Sequence, residues 1–294
     1  MNSSYYRNWC YNVKTDAVNQ SNINAQKLSQ LMIPIPPLKE QERIVVEVAK
    51  WISLINTIKN SKEDLQTTIK QAKSKILNLA IHGKLVPQDP NDEPAIELLK
   101  RINPDFTPCD NGHYTQLPEG WAICKMKQIT SITNGKSQKN VETLNGIYPI
   151  YGSGGVIGRA NQYLCIAGST IIGRKGTINN PIFVEEHFWN VDTAFGLKAN
   201  DAILDKYLYY FCLSFDFSKL DKSTAMPSLT KTSIGNVLIP IPPKAEQKRI
   251  VYTARNISFI VSSTISILAT IRSCSLYGGM GISYFEYSEI QYRL

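Results

Sequence analysis

One segment of this chain occurs twice. Residues 31–45, LMIPIPPLKEQERIV, return as residues 237–251, VLIPIPPKAEQKRIV, at an offset of 206. So long an offset excludes the short units that stack into solenoids or propellers, and marks duplication of a whole domain with its connector. In each copy an apolar, strand-like run ends in Ile-Pro-Ile-Pro-Pro, where paired prolines forbid helix and force an extended exit. The Glu-Gln-x-Arg-Ile-Val that follows puts an acid at a helix start, where the helix dipole favours it, and begins an apolar stripe.

In the first copy that stripe runs through Ile44, Val48, Trp51, Ile55, Ile58, Lys62, Leu65, Ile69, Ala72, Ile76 and Leu79, in alternating steps of four and three, with Lys62 the only polar member. This is the spacing of a coiled-coil seam. A helix from about Glu40 to His82 would be roughly 60 Å long at ~1.5 Å per residue, and Gly83 stops it. The alternative, an ordinary amphipathic helix on a globular core, is disfavoured by that length. The same offset carries the seam to Ile250, Ala254, Ile257, Val261, Thr264, Leu268 and Ile271, so a second, shorter helix over residues 244–272 is expected to pair with the first. Beyond Ile271 the register falls on Ser275 and Gly278. Gly278-Gly279 ends the helix, and residues 273–294 form an atypical tail.

Charge divides the chain further. Residues 39–84 hold nine basic and five acidic side chains, but residues 85–116 hold two basic and six acidic. The proline-rich acidic stretch from Val86 to Pro94 therefore reads as part of a linker, residues 84–116. Residues 117–243 are rich in Gly, Tyr and β-branched residues, the composition of a partly β globular domain. The net charge of +8 favours a polyanionic partner. Cys10, Cys109, Cys124, Cys165, Cys212 and Cys274 form no CxxC pair, and the first residues show no apolar signal stretch, so a cytoplasmic chain with reduced thiols is expected. The most apolar run, Ile257 to Ile271, is too short and too rich in Ser and Thr to span a membrane.

Catalytic motifs are refused one by one. Gly168-Ser-Thr-Ile-Ile-Gly173-Arg174-Lys175 approaches a phosphate-binding loop but lacks the Lys and the magnesium-ligating hydroxyl. Gly152-Ser-Gly154-Gly155-Val-Ile157 lacks the third glycine of the dinucleotide fingerprint. His82, His113 and His187 have no ligand partners at metal-binding spacing, so no metal is expected. Asn180-Pro181-Ile182-Phe183 departs from the tetrapeptide of adenine methyltransferases at its third position. No catalytic residue is expected.

With these residues in view, the chain resembles the DNA-specificity subunits of type I restriction-modification systems. That family opens its helical regions with a Pro-Pro-Leu-x-Glu-Gln-x-Arg-Ile-like motif, matched by residues 36–44 and 242–250. Residues 76–90, ILNLAIHGKLVPQDP, resemble the family's helix end and linker, and Leu117-Pro118-Glu119-Gly120-Trp121 its recognition-domain start. Tyr148-Pro-Ile-Tyr-Gly-Ser-Gly-Gly155 and Ile172-Gly-Arg-Lys-Gly176 also match patterns common there.

The resemblance implies an α+β fold: one mixed α/β target-recognition domain, residues 117–243, flanked by long coiled-coil helices at 39–83 and 244–272. Residues 1–38 would be the C-terminal remnant of a first recognition domain. It implies a non-catalytic subunit that reads part of a bipartite target in double-stranded DNA and docks methyltransferase subunits, with restriction subunits joining indirectly. S-adenosylmethionine would bind the partner, no cofactor would bind this chain, and two chains could self-associate. A truncated remnant or decoy that assembles only through its helices is the alternative.

Four polar, basic loops are the candidates for DNA contact, because Arg and Lys supply counterion release and contacts to guanine. They contain Lys136, Ser137 and Lys139; Tyr151, Ser153, Gly154 and Arg159; Arg174, Lys175, Thr177 and Asn180; and Lys222 and Ser223. Any one of them alone could be a solvated turn.

Overall fold

The computed structural model describes residues 4–17, 20–110, 114, 116–221 and 227–257. It divides into two units, Met1–Leu65 and Gln66–Leu294. The expected tail 273–294, the seam positions Val261 and Leu268, and the loop residues Lys222 and Ser223 lie outside the described residues, as does the side chain of Ile58.

The first unit starts with helix α1 (Ser4–Val13), a hairpin of β1 (Thr15–Ala17) and β2 (Gln20–Asn22), and the short helix α2 (Ala25–Leu28). Asn24 caps α2 by accepting from Lys27 N at 2.8 Å. Residues 31–37 then run extended into α3 (Leu38–Ile81), a single helix of 44 residues whose ends fall within two residues of those expected. Ile44, Val48, Trp51 and Ile55, the first seam positions, are 46–60% exposed. Nothing among the described residues of the first unit covers this stripe.

In the second unit the end of α3 carries the same stripe: Leu65 closes the first unit half-buried, Ile69, Ala72, Ile76 and Leu79 are half-buried, and Leu77, Ala80 and Ile81 are buried. There follow α4 (Ala95–Ile102), β3 (Ala122–Lys125), α5 (Met126–Ile129), β4 (Thr130–Asn134), β5 (Tyr148–Gly152) and β6 (Gly155–Ala160). After these come β7 (Ser169–Gly173), β8 (Ile182–Val184), β9 (Trp189–Asn190), β10 (Ala194–Ala199), α6 (Asp205–Ser214), α7 (Lys231–Gly235) and β11 (Leu238–Ile241). A final helix, α8, is described over residues 244–257. The strands form an antiparallel sheet in the order β4-β10-β7-β8, a sheet β6-β5-β9 with β9 parallel to β5, and the antiparallel pair β11-β3. Tyr207, Leu208 and Phe211 of α6 pack with Ile172, Phe195 and Leu197 of the larger sheet in the main core. The fold is α+β.

The stretch expected to be a linker is largely part of this core. Ala95, Leu99 and Phe106 are buried in it, and Cys109 N donates to Ile123 O at 2.9 Å. Its prolines and its acids other than Asp92 are exposed, and two apolar residues one helical turn apart are too short a signal to outweigh them.

The duplicated segments show what a strand gains from a partner. In the second copy β11 pairs with β3, Ile239 opposite Cys124, and Val237, Ile239 and Ile241 are buried. In the first copy the matching residues Ile33 and Ile35 are 69% and 81% exposed and form no strand. Upstream the likeness continues: Tyr5, Trp9 and Cys10 of α1 have the spacing of Tyr207, Phe211 and Cys212 of α6, and α2 stands where α7 stands 206 residues later.

The second Glu-Gln-x-Arg motif is a clamp. Glu246 is buried and accepts from Gln88 Nε2 at 2.8 Å and Trp121 Nε1 at 2.9 Å. Burial raises its carboxyl pKa, and those two donors oppose the rise. Gln247 accepts from Leu204 N at 2.8 Å and donates to Ala202 O and Pro242 O. Three residues beyond it, Ile250 is buried in the main core, and Ala254 joins Leu77, Tyr209 and Tyr210 in a smaller cluster against which Ile76 and Val251 pack. Residues of both seam helices thus share one cluster with Tyr209 and Tyr210 of α6, and Ile257 is half-buried.

Candidate nucleic-acid interface

Strand direction brings three of the four candidate loops together. β10 runs antiparallel to β4 and β7, and β9 runs parallel to β5, so the ends of β4, β7, β5 and β9 and the start of β10 share one side. Backbone hydrogen bonds tie the loops there. Lys136 N donates to Asn190 O at 2.9 Å, Arg174 N to Thr193 O at 2.7 Å, and Leu229 N to Arg174 O at 2.8 Å. Lys175 forms a bridge with Ser228, and a Cβ placed on Gly173 would stand 3.1 Å from the Cβ of Ser153.

The resulting rim holds Lys136, Gly154, Lys175 and Thr177, all exposed, with Ser153 and Arg174 half-buried, while Ser137 and Lys139, also exposed, follow Lys136 in a loop that leads towards the far end of β6. The Arg174 guanidinium lies 5.8 Å from the Phe195 ring centroid, a cation–π contact that steadies its stem. Gly176 has a positive φ of 75° and open space where a Cβ would stand, so a phosphate can approach this backbone closely.

Three candidates stand apart from the rim. Tyr151 is buried edge-on against Phe188, with ring centroids 5.5 Å apart, because it is the fourth residue of β5 rather than part of the turn. Arg159 sits at the far end of β6, opposite Pro149, and donates to Ile147 O. Asn180 is exposed but borders a separate cleft of about 1110 Å³ with Lys70, Lys73, Phe183 and Lys206. In that cleft Lys206 is already paired with Glu185 at 2.9 Å and stacked over Phe183 at 3.8 Å.

The structure also exposes groups that loop-by-loop reading missed. The pairing of β5 with β6 shifts register between Ile150 and Tyr151, so that Val156 faces Tyr151, Gly158 faces Ile150, and Ile157 is the extra residue of a bulge. Val156 and Ile157 are consecutive and both about half exposed. The flanking Gly155 and Gly158 were the available sequence signal. Elsewhere, Tyr163 stacks on His187 with centroids 4.5 Å apart.

Among the described residues the cysteines are free. Burial pushes the Cys165 thiol up to about 12 and raises Cys124 and Cys212 as well, which withholds the thiolate a nucleophile requires. No helix among the described residues is long and apolar enough to cross a membrane.

Comparison with known proteins places this geometry. The chain matches a family model described as the type I restriction modification DNA specificity domain over residues 6–67 and 118–259. It is 31% identical over 165 residues to the type I restriction enzyme EcoAI specificity subunit of Escherichia coli, a match covering 37% of this chain and 28% of that protein. It is 28% identical over 244 residues to the EcoEI specificity subunit of the same species, covering 68% of this chain and 41% of the relative. The matched region thus spans less than half the length of either relative. Among solved structures, a chain from a study of complex assembly and conformational transition of the type I R-M system shares the fold with a TM-score of 0.59 at 19% identity, covering 92% of this chain and 65% of that one.

Proposed function

The chain belongs to the family of type I restriction-modification DNA specificity domains, and we propose that its residues 117–243 read one part of a bipartite duplex target for a methyltransferase that supplies the chemistry. The observation that carries this reading is the convergence of Lys136, Arg174 and Lys175 onto one rim. Cations there neutralise phosphates and set register, while side chains beside them reach base edges. Lys136 and Lys175 serve the first task, and the fork of Arg174 suits guanine. The chain itself is non-catalytic: S-adenosylmethionine and the transferred methyl group belong to the methyltransferase subunits, and restriction subunits join through them. The open seam of Ile44, Val48, Trp51 and Ile55 is the docking face for those subunits or for a second copy of the chain. A rigid helix suits that task because helix length, rather than a flexible linker, then sets the distance between half-sites. The chain works in the cytoplasm.

The test is a gel-shift series with the chain and its methyltransferase subunits on randomised duplexes. Enrichment of a defined sequence is expected; binding without sequence preference overturns the reading.

A further inference from the structure

We infer that the β5–β6 hairpin enters the major groove and that Val156 and Ile157 contact thymine 5-methyl groups there. This rests on the DNA-reading function proposed above. The bulge at Ile157 breaks the alternation that would turn one of two consecutive side chains inward. Val156 and Ile157 are accordingly 52% and 54% exposed side by side. Two apolar β-branched residues held open in this way lose the benefit of burial until a partner covers them. The hairpin tip lies beside Gly173, at the rim that carries Arg174 and Lys175, so the partner that covers the pair is the one those cations attract.

Geometry then selects the groove. β6 is an edge strand, and Gly155, with φ of 131° and no atom within 4 Å of a Cβ built on it, leaves the tip open. The turn at residues 152–155 continues past the last β9 pairing at Tyr151, and with the outer strand β6 it fits the major groove, about 12 Å wide, rather than the minor groove, about 6 Å wide. Val and Ile offer no hydrogen bond. The thymine methyl is the one apolar group on the base edges of that groove, so it is what such a pair can distinguish.

The test uses the full chain with its methyltransferase subunits and two randomised duplex pools of one design, made with thymidine or with deoxyuridine in its place. For the unaltered protein, a thymine preference at one or more positions is expected in the first pool and lost in the second. Replacing that thymine by uracil in a selected duplex should weaken binding roughly three- to fivefold, the scale of one methyl group in an apolar contact. The V156A/I157A variant should bind thymine and uracil duplexes equally there while keeping the rest of the selected sequence. V156T/I157T, which keeps the β-branching, guards against a folding defect. The inference is overturned by an identical selected sequence in both pools, by a V156A/I157A variant that still distinguishes thymine from uracil, or by loss of all DNA binding in both variants. Failure of both pools to yield a selected sequence defeats the DNA-reading function itself, a result distinct from those three.

Discussion

Arg249 holds Asp92 with both terminal guanidinium nitrogens, at 3.2 and 2.5 Å, across 157 residues of chain. Its counterpart in the first copy, Arg43, pairs with Glu40 in its own helical turn, both side chains exposed. One motif thus clamps a domain where a domain is present and closes on itself where none is described. Replacing Arg249 by Ala leaves the Asp92 carboxylate, nine-tenths buried, without its partner and should cost about 2 kcal/mol of stability. Replacing Arg43 by Ala should cost less than about 0.5 kcal/mol, since exposed pairs contribute little. Chemical denaturation of both variants checks the contrast.

Glu246 gives the clamp a pH dependence. Its folded pKa is raised above the ordinary 4.5, so the folded state binds the proton more tightly than the unfolded state. The contribution of this group to stability is fully present below pH 4.5 and declines as pH rises through the raised value. The stability of the unaltered protein relative to Glu246→Gln should therefore fall as pH rises from 4.5 towards neutrality. A series of denaturation midpoints for the two proteins reads this directly, and a rising difference would contradict it.

The rim divides the candidate cations into two groups. Lys175→Ala and Lys136→Ala should each weaken DNA binding on every duplex and lower the salt slope by about 1, as expected for lost phosphate contacts. Arg174→Ala should in addition relax the preference at one base pair, at a cost of about 1–3 kcal/mol. Arg159→Ala should leave both affinity and slope unchanged, because β6 carries Arg159 to the opposite end of the hairpin. Anisotropy titrations over a salt series separate these outcomes.

The open seam makes a prediction about assembly. Val48→Asp with Ile55→Asp adds charge at exposed positions, so stability of the isolated chain should change by less than about 1 kcal/mol. Co-purification with methyltransferase subunits and self-association, followed by size-exclusion chromatography with light scattering, should both be lost if the seam is the docking face.

Much of the architecture was legible before any coordinates. Prolines at Pro34, Pro36 and Pro37 and the step of four and three from Ile44 to Leu79 locate α3 to within two residues, because helix geometry is set by neighbours along the chain. The basic loops were legible as composition, but Tyr151 and Arg159 were grouped with a turn from which strand geometry separates them. The burial of Leu99 and Phe106 was hidden by the acids around them.

By itself the sequence determined the duplication, the long helix, the seam and the clamp motif, all of which rest on local periodicity or on a repeated word. Only the tertiary structure decided that Lys136 meets Asn190, that Arg174 meets Thr193, and that Val156 and Ile157 stand open together. Those outcomes depend on which strands pair and in what register. Strand pairing joins residues distant along the chain, and a single bulge changes which side chains face solvent.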